Sequence, residues 1–171
     1  MNEESVQSTA VPNLVKTLAD LLMRRRLVVA TAESCTGGGI AAALTELAGS
    51  SQWFDAGFVT YSNMAKQRML GVNPNHFREG GPGAVSEQVV LEMSLGAVAR
   101  SEAEVSMAVS GIAGPTGGSD EKPVGTVWIA WCVDQQADAQ CYHFEGDRAA
   151  IRQATVATAL QGLLVRISGE F

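Results

Sequence analysis

Two short apolar runs, each ending in a glycine-rich loop, constrain the fold of this chain more than any other feature. Residues 27–32 lead into ESCTGGG (33–39), and residues 105–109 lead into SGIAGPTGG (110–118). A continuous apolar run of this length is typical of a strand that is buried on both faces. Helical patterns lie between the strands, so the sequence predicts an α/β sandwich with a mixed sheet flanked by helices.

The remaining elements follow from periodicity, caps and turn residues. Asn13 is expected to cap a helix that runs to about residue 25, and Ser86 is expected to cap another that begins at Glu87. Gly49 and Gly71 are expected to end two short helices. The predicted elements also include helices over 40–47, 64–70 and 147–167, a buried strand over 54–61, and an antiparallel hairpin of strands over 125–133 and 139–144.

Size and charge restrict the classes of protein. A chain of 171 residues that is 46% hydrophobic fits one domain, which we place at residues 12–171 after a flexible tail over 1–11. The net charge of −6 argues against general binding of nucleic acid, which needs a basic face. No signal peptide and no membrane-spanning run is evident, so we expect a cytoplasmic protein with no membrane partner.

The glycine-rich loops are candidate sites for an anionic small ligand. Backbone N–H groups at a turn between a strand and a helix can surround a phosphate or an oxyanion. The alternative is that both loops are only tight turns. The candidate binding residues are Ser34, Thr36 and Gly37 in the first loop and Ser110, Gly111, Ile112 and Gly114 in the second.

Histidine and metal chemistry have little support. His76 and His143 are the only histidines, and neither stands in a metal-binding or triad-like motif. Three cysteines without a CxxC pair do not suggest a zinc site. We therefore expect no metal and no cofactor.

Lysine is the remaining candidate base. Ser62 or Asn63 can cap a helix that places Lys66 in its first turn, where the helix dipole disfavours a positive charge. Burial in a cleft would add to this effect and favour the neutral amine, which can accept a proton. Tyr61 could assist, and Ser51 could be the nucleophile. All three also fit ordinary roles as turn, strand-end and surface residues.

A family resemblance supports catalysis. The motifs TAESCTGG, GSSxWFxxGFVTYSNxxK, GAVSE, SGIAGPxGG and KPVGTVW occur here in this order. Together they resemble the C-terminal domain of the competence/damage-inducible protein CinA, in its stand-alone form. The resemblance implies hydrolysis of the carboxamide of nicotinamide mononucleotide, giving nicotinate mononucleotide and ammonia, by a metal-free Ser-Lys amidase. It also implies a homo-oligomer.

The resemblance assigns roles to individual residues. Ser51 would be the nucleophile, Lys66 its base and Tyr61 their assistant. Ser34, with Ser110 and Gly111, would line the substrate or oxyanion site, and Arg148 is a candidate for the phosphate.

Two alternatives stay open at this stage. Cys35, beside Ser34, is intrinsically a better nucleophile, although we favour packing beneath the loop for it, since no histidine partner lies nearby in sequence. The fold could also serve as a nucleotide-binding module without catalysis. A role in DNA repair or uptake has no support in charge or motif. The Pro82-Gly83 pair lengthens the approach to GAVSE, which puts that loop's conformation in doubt.

Overall fold

The computed structural model describes residues 3–169, and the side chains from residue 10 onward. Five strands form one sheet in the order β2-β1-β3-β4-β5. The strands are β1 Val29–Glu33, β2 Phe54–Val59, β3 Val105–Gly111, β4 Thr126–Val133 and β5 Gln136–His143; the helices are α1 Glu3–Arg25, α2 Gly39–Thr45, α3 Asn63–Leu70, α4 Glu87–Ala99 and α5 Arg148–Ser168. Short 3₁₀ turns cover Ser50–Gln52 and Pro74–Phe77.

The sheet is mixed, as the sequence predicts. Strand β1 is parallel to both β2 and β3, whereas β4 runs antiparallel to β3 and β5 antiparallel to β4. One buried cluster contains side chains of α1, α2 and α5, and a second contains side chains of α4 and the end of α3. The chain is therefore a single α/β sandwich, and the predicted fold class is confirmed.

Two predicted elements differ from the structure. Helix α1 begins at Glu3 and contains Pro12, so Asn13 lies inside it and residues 3–11 are helical rather than a loose tail. Asparagine is favoured at N-caps, and this local preference misplaced the predicted start. Residues 1 and 2 lie outside the described residues. The division into a tail and a domain at residue 12 stays a prediction.

Strand β2 is the second difference, because it is an edge strand and not a buried one. It pairs only with β1, and its residues alternate between half-buried and exposed. The third buried run of the sheet is instead β4, in which most residues are buried. The apolar run over 54–61 predicts a strand, but it does not show whether that strand pairs with other strands on one side or on both.

Strands β1, β2 and β3 are parallel, so their carboxyl ends lie together at one end of the sheet, which we call its carboxyl edge. Glu33 at the end of β1 aligns with Val59 at the end of β2 and with Val109 near the end of β3. The connections after these strands therefore meet at this edge, where ligands bind in open α/β sheets. Helix α3 is held beside it because Gly96 of α4 lies against the Leu70 carbonyl, where any Cβ would be only 2.1 Å from the oxygen.

Candidate active site

A buried lysine and a serine form the centre of the site. Lys66 is 1% exposed, and its Nζ donates hydrogen bonds to Ser34 Oγ and to the Thr60 carbonyl, both at 2.9 Å. Ser62 caps α3 by accepting from the Ala65 N–H at 3.1 Å, which confirms that Lys66 lies close to the start of this helix. The pair joins the loop after β1 to the helix after β2.

Burial favours the neutral amine of Lys66. Desolvation lowers the pKa of Lys66 from 10.5 to about 8, and the nearby Cys35 opposes this shift only in part. Within the described residues no carboxylate forms an ion pair with this ammonium group. A lysine with such a pKa can take a proton from a hydroxyl that it already contacts.

Ser51 does not take part in this pair. It is exposed in the 3₁₀ turn that precedes β2, whereas Lys66 follows the other end of the same strand. The length of β2 alone separates the two ends by roughly 17 Å, at about 3.3 Å per residue. The predicted pairing of Ser51 with Lys66 is therefore wrong, because the two residues flank opposite ends of a strand.

Tyr61 also differs from its predicted contact. Its side chain is 61% exposed, and its hydroxyl accepts a hydrogen bond from Arg148 Nη2 at 2.9 Å instead of bridging to Lys66. Arg148 Nη1 donates to the Gly114 carbonyl at 2.9 Å. Arg148 thus links the end of β2 to the second glycine-rich loop across the carboxyl edge of the sheet.

The first glycine-rich loop is organised by a residue that sequence reasoning missed. Glu33 is fully buried, and its carboxylate accepts from Thr36 Oγ1 at 2.6 Å, from the Ile40 N–H at 2.9 Å and from the Ala41 N–H at 2.8 Å. The start of α2 is therefore already occupied by an internal anion. The available signal was a charged residue at the end of an otherwise apolar strand.

The second glycine-rich loop is likewise engaged internally. Ser110 is buried, and its hydroxyl donates to the Ala84 carbonyl at 2.8 Å, which fastens the loop before α4 to the end of β3. Gly111 pairs with β4, and the N–H and carbonyl of Ile112 bond to Thr126 and Gly125. Lys66 Nζ makes its described hydrogen bonds to Ser34 and Thr60 instead of to any of these three predicted binding residues.

A cleft lies at the start of α5. Its volume is about 470 Å³, and it is lined by Ala113, Pro115, Val124, Gly146, Asp147, Arg148, Ala149 and Arg152. Arg152 was missed in the sequence, although it stands four residues after Arg148 on the same helical face. Its Nη2 donates to the Thr36 carbonyl at 3.0 Å, and its buried Nε has no partner within residues 3–169.

Cys35 is poorly suited to be the nucleophile. Its side chain packs in the cluster that contains α1, α2 and α5, and burial raises the pKa of the thiol to about 11. The thiolate, which is the reactive form, is therefore scarce near neutral pH. Packing beneath the loop is the role that the structure supports.

Between residues 3 and 169, no group of three or more His, Cys, Asp or Glu side chains is arranged to hold a metal ion. No helix in that part of the chain is long and apolar enough to cross a membrane.

Comparison with known proteins defines the class of protein. The CinA C-terminal domain family matches residues 12–167, so the chain belongs to that family. Solved structures agree: a competence/damage-inducible protein from Agrobacterium tumefaciens superposes with a TM-score of 0.87 at 45% identity, covering 93% of this chain and 96% of that one. A Klebsiella pneumoniae competence damage-inducible protein A gives a TM-score of 0.89 at 38% identity, covering 94% and 99%.

Curated relatives are more specific. The nicotinamide-nucleotide amidohydrolase PncC of Pseudomonas putida is 53% identical over 154 residues, which is 90% of this chain and 95% of that protein. PncC of Escherichia coli K12 is 48% identical over 151 residues, covering 88% and 90%. The chain is thus similar to stand-alone members of the family over nearly their whole length.

Proposed function

We propose that this protein is a nicotinamide-nucleotide amidohydrolase that converts nicotinamide mononucleotide to nicotinate mononucleotide and ammonia. The single observation that carries the proposal is the buried contact between Lys66 Nζ and Ser34 Oγ at 2.9 Å. The names of the PncC relatives supply the substrate. We assign the nucleophile to Ser34 in place of Ser51, with Lys66 as its base.

The reaction follows from this contact. The neutral amine of Lys66 takes the proton of Ser34 Oγ as the oxygen attacks the carboxamide carbon. The resulting ammonium returns the proton to the amide nitrogen, the C–N bond breaks, and ammonia leaves an ester on Ser34. Water then gives a proton to Lys66 as it attacks the ester, and Lys66 returns that proton to Ser34 Oγ as nicotinate mononucleotide is released.

The turn that follows Ser34 is suited to stabilise the oxyanion. Gly37 donates to the Ser34 carbonyl at 3.0 Å, and Gly39 donates to the Thr36 carbonyl at 3.1 Å, so the backbone forms two consecutive turns. The Thr36 N–H has no acceptor within the described residues. A free N–H close to the nucleophile can bind the oxygen that gains charge in the transition state. We assign this role to Thr36.

The phosphate of the substrate belongs in the cleft at the start of α5. Arg148 and Arg152 supply two guanidinium groups there, and the buried Nε of Arg152 lacks a partner. One guanidinium group can donate hydrogen bonds to two phosphate oxygens at once. Asp147 lines the same cleft and also caps α5 through the Ala150 N–H at 2.9 Å. The two arginines carry two positive charges and Asp147 carries one negative charge, so these three residues have a net charge of +1.

Ammonia release from nicotinamide mononucleotide by the purified protein tests the proposal. We expect turnover without added metal, and loss of turnover in Ser34→Ala. Saturable binding of nicotinamide mononucleotide with no ammonia would instead identify a nucleotide-binding module. The predicted homo-oligomer is measured on the same preparation by sedimentation, and the predicted lack of nucleic-acid binding by titration with duplex DNA at low salt. A cytoplasmic location stays a prediction from the sequence.

A further inference from the structure

The carboxylate of Glu33 is buried at the end of strand β1, immediately before Ser34. The carboxylate has three hydrogen-bond partners, and all three are donors: the Thr36 hydroxyl and the N–H groups of Ile40 and Ala41. An ionised carboxylate only accepts hydrogen bonds, so its chemistry matches this environment completely. Burying such a charge is costly unless it is fully hydrogen-bonded, which argues for a specific role.

Glu33 lies in strand β1, and its carboxylate caps the start of helix α2. Gly38, at the N-cap of α2, offers no side chain, and the first N–H groups of the helix need acceptors. Gly37 and Gly38 also have positive φ angles of 59° and 96°, a conformation that glycine adopts readily. The connection from Ser34 to Gly38 is therefore intrinsically pliable, and the carboxylate fixes its far end.

The near end of this connection is fixed by the sheet. The Ser34 N–H donates to the Val109 carbonyl at 3.1 Å, and Ser34 Oγ is held by Lys66. Between these two anchors lies Thr36, with its free N–H and with a hydroxyl bound to Glu33 at 2.6 Å. Glu33 thus determines where the proposed oxyanion donor lies relative to the nucleophile.

We propose that Glu33 is a positioning residue of the amidase reaction, holding the Ser34–Gly38 turn so that the Thr36 N–H faces the developing oxyanion. This inference rests on the proposed function. Glu33 does not touch the substrate. It acts in the transition state more than in substrate binding, because a donor aimed at the oxyanion contributes chiefly when charge develops.

Glu33→Gln is the main test, because it keeps the size of the side chain and replaces one acceptor by an NH₂ donor facing an N–H group. Loss of one oxyanion donor in a serine hydrolase lowers kcat by about 10²–10³-fold. We expect kcat to fall by about 10²-fold, with KM changed by less than about threefold. Thr36→Val, which removes one of the three donors, should lower kcat less.

Glu104→Gln is the matched control. Its carboxylate also accepts from a backbone N–H, that of Val28 at 2.8 Å, but at the opposite edge of the sheet. We expect its kcat to equal that of the wild type. If Glu33→Gln and Glu104→Gln lower kcat equally, or if KM rises while kcat is kept, Glu33 has no positioning role.

A binding experiment separates this inference from the proposed function. Pyridine-3-boronic acid forms a tetrahedral adduct with a serine hydroxyl and so resembles the intermediate, whereas nicotinate mononucleotide resembles the ground state. Glu33→Gln should weaken binding of the boronic acid by about the same factor as the fall in kcat. It should weaken binding of nicotinate mononucleotide by less than about threefold. Equal weakening overturns the inference. Absence of ammonia release by the wild type, with tight boronic acid binding that depends on Glu33, would contradict only the proposed substrate. If Glu33→Gln does not fold, binding of the boronic acid and of nicotinate mononucleotide is compared in Thr36→Val instead.

Discussion

Two serines flank opposite ends of the parallel strands, one after β1 and one before β2, in very different environments. At the carboxyl end of β1, Ser34 is bonded to a buried lysine beside a fully satisfied carboxylate. At the amino end of β2, Ser51 is exposed in a 3₁₀ turn. Ser51 is nearer to Lys66 along the chain, yet only Ser34 reaches it. The difference shows that strand polarity, and not distance in sequence, selects the residues that share an active site.

Replacement of the two serines should break this comparison most strongly. Ser34→Ala removes the proposed nucleophile, and we expect ammonia release to fall by at least about 10³-fold. Ser51→Ala is the control, with turnover within about twofold of the wild type and an unchanged melting temperature. Loss of activity in Ser51→Ala alone would restore that serine as the nucleophile.

The pKa of Lys66 predicts how activity depends on pH. In the proposed mechanism the neutral amine is the active form, so kcat/KM should be constant above pH 8 and fall tenfold per pH unit below it. A pH profile from 6 to 9.5 measures this limb. An inflection near pH 6.5 would point to histidine as the base.

The same pKa also affects stability. Between about pH 8 and 10.5 the unfolded chain keeps a proton that folded Lys66 has released. The free energy of unfolding should therefore rise with pH across this window, by at most about 3 kcal/mol. Lys66→Met should lack this rise in urea unfolding at pH 7.5 and 9.5. Parallel curves for both proteins would contradict the low pKa.

Substitution in the cleft at the start of α5 should give a smaller effect. Arg152→Gln should raise KM for nicotinamide mononucleotide by about 10- to 100-fold, because a hydrogen bond to a charged group contributes about 1.5–3 kcal/mol. KM for nicotinamide riboside, which lacks the phosphate, should change by less than about threefold. Arg68→Gln makes the same charge change at an exposed position of α3 and should leave both values unchanged. An equal loss with both substrates would remove the phosphate from this cleft.

Tyr61 should give the smallest change. Tyr61→Phe keeps the ring and loses only the hydrogen bond to Arg148, so we expect a two- to tenfold decrease in kcat/KM. A proton relay to Lys66 would be worth about 10²–10⁴-fold, and a loss of that size would show that Tyr61 moves to Lys66 when substrate binds.

Much of the fold was predictable because its signals are local. The strands, the caps at Ser62 and Ser86 and the closing hairpin follow from periodicity and from side chains that bond within a few residues. Lys66 could be identified for the same reason, since its position in α3 is set by the cap. Asn13 misled for this reason too, because a local capping preference predicted a boundary that α1 does not have.

The sequence by itself determined the order of elements, the two glycine-rich loops and the lysine. Only the tertiary structure decided which groups these residues meet. Ser34 contacts a lysine 32 positions away, and Arg152 contacts Thr36 across 116 positions. Such contacts depend on the order and direction of strands in the sheet, which is set by packing of the whole domain. Burial then lowers the pKa of Lys66, and no local pattern reports that burial.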